Sequence, residues 1–138
     1  SSAGKRSVMN VVDSSAWLSY FAGDENAEHF AGPIEATDKL LVPSVTMTEV
    51  FKNVLRQRGE EMALIAVAHM EQGTVVSLDE ELAINAAYFG TALKLPLADS
   101  IIYATAHKHA ALLWTQDADF KSLDGVQFYA KPKTRKKG

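Results

Sequence analysis

Short apolar runs alternate along this chain with longer segments of helical period, and no other feature constrains the fold as tightly. Val8–Val12, Lys39–Val42, Thr74–Ser77 and Leu112–Thr115 read as strands, with Val126–Tyr129 as a fifth at an edge. The segments between them read as helices. The first covers Ala16–Phe21 behind a Ser14 or Ser15 cap, and a second runs through Ala31 and is ended by Gly32-Pro33. A third starts at Ser44 or Thr46, carries Met47, Val50, Phe51 and Val54 at helical spacing, and stops at Gly59. A fourth covers Glu60–Gln72 with Ala63, Leu64, Val67 and Ala68 inward, and two more run from Asp79 to Lys94 and from Pro96 to His109. The alternation predicts an α/β fold whose central sheet is mainly parallel. Such sheets bind ligands beyond the carboxyl ends of their strands.

A chain of 138 residues with 47% hydrophobic content can bury one core, not two. Residues 9–130 are expected to form that domain. Residues 1–8 read as a leader or an appended remnant, without the apolar segment of a signal peptide. No apolar stretch reaches the roughly 18–20 residues of a membrane helix, so no membrane partner is expected. The absence of cysteine excludes disulfides, thiolate zinc sites and cysteine nucleophiles, and fits a cytoplasmic protein. The formal net charge of −3 hides an asymmetry. Lys131, Lys133, Arg135, Lys136 and Lys137 crowd the last eight positions, and setting them aside leaves −8. That tail, 131–138, reads either as a disordered solubilising end or as a tether for RNA phosphates that weakens as salt rises.

Four carboxylates stand where an apolar run meets a turn or a helix start: Asp13, Glu49, Asp99 and Asp117. Asp13 ends the first strand, as a helix cap or as a metal ligand, with the following serines placed to orient it. Asp99 lies near the start of a helix that is apolar nearly all round, where an unpaired buried charge is costly. It reads as a cap, a ligand, or both, since the helix dipole favours an anion there. Glu49 shares a polar face with Lys52, Asn53 and Arg56; that face is either plain solvated surface or a cleft wall in which Lys52 and Arg56 meet RNA phosphates. Asp117 and Asp119 follow the fourth strand as turn residues or as a metal-binding pair, with the Thr115 hydroxyl directed at the same pocket.

Other chemistries lack their residues. There is no phosphate-binding Gly-x-x-x-x-Gly-Lys loop, no Gly-x-Gly-x-x-Gly and no Gly-x-Ser-x-Gly. Asp13-Ser14-Ser15 lacks the second acid of an Asp-x-Asp phosphatase. His107 and His109 fall at a helix C-terminus and read as structural, and His29 and His69 have no ligand set around them.

Taken in order, four segments resemble the PIN-domain family, and within it the VapC-like toxin ribonucleases of type II toxin–antitoxin pairs. They are Val11-Val12-Asp13-Ser14-Ser15-Ala16-Trp17-Leu18, Thr48-Glu49-Val50, Leu97 through Ala106 around Asp99, and Thr115-Gln116-Asp117-Ala118-Asp119-Phe120. The resemblance implies a single PIN-like domain built on a sheet of about five parallel strands flanked by helices. It implies that this domain binds Mg²⁺ or Mn²⁺ through Asp13, Glu49, Asp99 and Asp117, with Asp119 and Thr115 as helpers. It also implies a homodimer, an RNA substrate, and inhibition by a cognate antitoxin protein that inserts a segment into the cleft. Hard divalent ions suit an all-oxygen donor set, and they lower the pKa of water and stabilise phosphoryl charge. The expected reaction is hydrolysis of RNA phosphodiester bonds, leaving a 5′-phosphate and a 3′-hydroxyl. The competing readings are a non-catalytic PIN-like module binding RNA or protein, a receiver-type domain phosphorylated on Asp13, and a DNA nuclease of related fold.

Overall fold

The structure is a computed structural model and describes residues 8–133. The expected leader before Val8 and the tail beyond Lys133 lie outside the described residues. Five strands, β1 (Asn10–Val12), β2 (Leu40–Pro43), β3 (Thr74–Val76), β4 (Leu112–Thr115) and β5 (Val126–Phe128), pair in parallel in the order β3-β2-β1-β4-β5. The helices are α1 (Ser14–Ala22), α2 (Ala27–Glu35), α3 (Ser44–Arg58), α4 (Glu60–Met70), α5 (Glu80–Leu93) and α6 (Leu97–Lys108). From β1 the chain builds first toward β2 and β3, then crosses to β4 and β5. Neighbours β1 and β4 therefore flank the switch point of the sheet, where the connections diverge and open a crevice at the carboxyl ends.

Strand alternation divides the core in two. Val12, Leu40, Val42 and half-buried Trp114 face one side with Trp17 of α1 and Phe30 and Ile34 of α2. Val11, Leu41 and Leu113 face the other with Ile102 and Tyr103 of α6 and Phe120. Because both faces are covered, these strands read in the sequence as continuous apolar runs rather than as alternating ones. Seven successive residues of α6, Ser100–Ala106, are buried, the all-round burial that its composition predicts.

Four local expectations fail. Neither Ser14 nor Ser15 caps the first helix, because α1 begins at Ser14 and the Asp13 carboxylate takes the free Ala16 amide instead. Pro33 does not end the second helix: α2 continues to Glu35, with Pro33 and Ile34 buried against the core. Proline in a last turn forfeits one helical hydrogen bond, and the burial of this apolar pair outweighs the loss. In α4, Ala63, Ala66 and Met70 point inward, while Leu64 is exposed and Ala68 faces solvent. The helix is apolar on almost every side, so more than one stripe satisfies the period, and the stripe in the core is the one that sets Ala66 and Met70 in the cluster with Trp17 and Phe30. Asp99 is not a cap, because α6 begins at Leu97 behind Pro96 and Asp99 occupies its first turn.

Candidate metal centre

Asp13 leaves the end of β1 and caps α1, so the cap reading holds; its carboxylate is also the most heavily bonded group at the crevice. Oδ1 accepts from the Ser15 hydroxyl at 2.8 Å and from the Ala16 amide at 2.9 Å. Oδ2 accepts from the Thr115 hydroxyl at 2.7 Å and from Ser15 at 3.0 Å. The side chain is almost wholly buried. Burial raises its pKa to about 6 against the pull of these hydrogen bonds, and the negative charge of Asp117 adds to the rise.

Thr115, at the end of β4, is fully buried and joins the two loops of the switch point. It donates to Asp13 and accepts from the Asp117 amide at 2.8 Å. Asp117 in turn takes the Asp119 amide on its carboxylate at 2.9 Å, folding 118–120 into a 3₁₀ turn. That turn carries Asp117 and Asp119 over the first turn of α6. One carboxylate oxygen from each of Asp99, Asp117 and Asp119 lies within 4.8 Å of the others. The Asp99 pKa rises to about 8, first through burial, then through the charge of Asp117, a hydrogen bond with Asp119, and the charges of Asp13 and Asp119.

The remaining candidates stand apart from this trio. Glu49 on α3 accepts the Ser14 hydroxyl at 2.5 Å. It is thereby tied to the residue after Asp13, at the edge of the acid cluster rather than within it. Lys52 and Arg56 are exposed farther along α3, and Arg56 donates to Asn53 at 3.2 Å. A groove of about 400 Å³ runs from Ser15 and Gln116 past α1, α3 and α4, and two other cations, Arg58 and Lys131, line it. The sequence marks Lys131 only as part of the basic tail and gives no signal for Arg58, Gln116 or Asn26; the Asn26 and Gln116 side chains bond to each other.

Among the described residues no cation forms a salt bridge with the acid cluster. The salt bridges among them run from Lys108 to Asp79 and Glu81, on another part of the surface. Three converging carboxylates with Asp13 behind them form an oxygen-only donor set without a thiolate or imidazole, and they fit a hard divalent ion such as Mg²⁺ or Mn²⁺.

The fold and the acid-lined switch point define a class, and comparison with known proteins agrees. The PIN domain family model matches residues 11–126, and the chain belongs to the PIN-domain family. No curated protein matches it in sequence. Among solved structures, a toxin–antitoxin complex from Klebsiella pneumoniae aligns at a TM-score of 0.73 and 23% identity, over 88% of this chain and 99% of that one. VapC20 of Mycobacterium tuberculosis, described as a sarcin-ricin loop cleaving toxin, aligns at 0.71 and 17%, over 85% and 96%. PAE2754 from Pyrobaculum aerophilum aligns at 0.69 and 18%, over 88% and 90%. At these identities the likeness is one of fold. No helix among the described residues is long and apolar enough to cross a membrane.

Proposed function

We propose that this PIN domain is a Mg²⁺- or Mn²⁺-dependent endoribonuclease and the toxin of a toxin–antitoxin pair, acting in the cytoplasm. The convergence of Asp99, Asp117 and Asp119 at the β1–β4 switch point, with Asp13 bonded behind them, carries this reading. Those three acids would hold the ion, and Asp13 would anchor the set through Thr115. A bound ion supplies Lewis acidity toward the phosphodiester and activates water at neutral pH. The chain's own residues supply order. Ser15 and Thr115 fix Asp13, the 3₁₀ turn fixes Asp117 against Asp119, and Ser14 holds one oxygen of Glu49. The other Glu49 oxygen is then the group to orient the attacking water and receive its proton. Hydrolysis breaks the P–O3′ bond, giving a 5′-phosphate and a 3′-hydroxyl.

Two surfaces support the partners. Leu18, Phe21, Val54, Met62 and Ile65 make the groove beside Ser15 apolar, a form suited to a segment of an antitoxin entering next to the acids. On α5, Ile84 and Tyr88 stand one turn apart and well exposed, and Leu97 at the start of α6 is 80% exposed. Such a patch suits a homodimer contact.

The test is cleavage of a structured RNA by the purified chain with Mg²⁺, with Mn²⁺, and with EDTA. Cutting that EDTA abolishes and added metal restores is the expected result. Metal-independent cutting, or none with either ion, contradicts the proposal.

A further inference from the structure

Asn26 sits at the N-cap position of α2, where its side chain would ordinarily accept an amide of the first turn. It makes no such bond. Its Nδ2 donates instead to Gln116 Oε1 at 2.9 Å and to the Ala130 carbonyl at 3.0 Å. Both Asn26 and Gln116 are buried. Gln116 Nε2 donates to the Ser15 carbonyl at 3.3 Å, and its backbone amide donates to the Ser15 hydroxyl at 3.4 Å, the same hydroxyl that holds Asp13. Asn26 is itself fixed, because its backbone N–H donates to Asp24 Oδ1, which also accepts the Ser19 hydroxyl of α1.

We propose that Asn26 and Gln116 are positioning residues: their paired carboxamides lock the Asp117–Asp119 loop onto the start of α1 and onto the chain leaving β5. The lock joins segments separated by 90 and 104 positions. Gln116 stands between Thr115 and Asp117, so fixing its side chain sets the direction in which Asp117 leaves β4. The same tie at Ala130 brings Lys131 to the groove beside Ser15 and Gln116. Ligand atoms need support of this kind, because a site held loosely binds its ion poorly. The value of the lock to the ion rests on the nuclease reading; the locking itself does not.

The test uses Asn26→Ala and Gln116→Met, the second close in volume to the parent. Hydrogen exchange is followed in the metal-free protein at the amides of Asp117 and Phe120, against Leu112 and Leu113 at the opposite end of β4. Mn²⁺ affinity is measured alongside by electron paramagnetic resonance. Exchange of the loop amides about tenfold faster in both variants, with Leu112 and Leu113 unchanged, and a several-fold weaker Mn²⁺ affinity support the lock. Unchanged loop exchange in both variants overturns it, as does acceleration spread equally over Leu112 and Leu113, the mark of general destabilisation. A loosened loop with parental Mn²⁺ affinity overturns the positioning role. A parent chain that binds no Mn²⁺ contradicts the nuclease reading instead, and the exchange data then decide the lock alone.

Discussion

At the scale of residues, the site is a balance between burial and charge. Asp13 and Asp99 both carry pKa values above the ordinary 3.8, at about 6 and about 8. The folded chain therefore holds their protons more tightly than the unfolded one. Their contribution to stability is full below about pH 3.8 and declines as pH rises through 6 and then 8. The metal-free melting temperature should fall from pH 5 to pH 9, and Mg²⁺ should raise it more at pH 8 than at pH 5. An equal shift at both pH values would mean that the ion does not relieve this repulsion. Asp99→Asn removes one of the crowded charges, so it should melt higher than the parent at pH 8 without metal while losing RNA cleavage by a factor of about a hundred or more. A fully active Asp99→Asn protein would refute its role. Thr115→Val keeps the shape of the side chain but strips a donor from buried Asp13, and should cost about 2 kcal/mol in urea unfolding at pH 7. No measurable cost would show that the Thr115 hydroxyl does not support the carboxylate. The sequence exposed Asp13 because it directly follows a strand, Asp99 because it opens an apolar helix, and Asp117 because it lies in the turn just past a strand. It did not expose their ranking. Asp119 is brought to the tight trio by a short turn in which its backbone amide donates to the Asp117 carboxylate, Glu49 is held at the edge by the Ser14 hydroxyl, and neither contact leaves a periodic trace.

At the scale of elements, the helix that delivers Asp99 is held by close packing. Gly90 of α5 faces Ser100, and a Cβ added there would lie 3.2 Å from the Ser100 Cβ. Gly90→Val should push α5 off the first turn of α6, costing about 1–3 kcal/mol by overpacking and lowering RNA cleavage by displacing Asp99. A thermal melt and a cleavage rate check both, and parental values in each would show that the contact has slack. Element identity was largely legible in advance. Leu112–Thr115 emerges as β4 with the bounds its apolar run indicates, because a strand buried on both faces needs apolar residues throughout. The phase of α4 was not legible, since a helix apolar on most sides gives periodicity no contrast. The Asn26–Gln116 bond was hidden for another reason: it joins two loops whose local sequence signals only turns.

At the scale of the whole molecule, parallel strand order makes the site. Placing β4 beside β1 brings Asp13 and the Asp117–Asp119 turn to one crevice, and α6, packed across β1, β2 and β4, adds Asp99. The acids are distant in sequence and meet only in the complete sheet. The exposed pair Ile84 and Tyr88 leads to an expectation at the same scale. The chain should sediment as a dimer, and Tyr88→Lys should shift it toward monomer; a parent that sediments as a monomer at all concentrations would remove this contact. Metal binding by the acid cluster is tested most directly by diffraction from crystals soaked in Mn²⁺, recorded to bring out the anomalous signal of the ion. The predicted result is a peak bounded by Asp99, Asp117 and Asp119 in the parent and absent from the Asp99→Asn crystal. Well-ordered crystals with an empty acid cluster, or with manganese held only elsewhere on the surface, would contradict it.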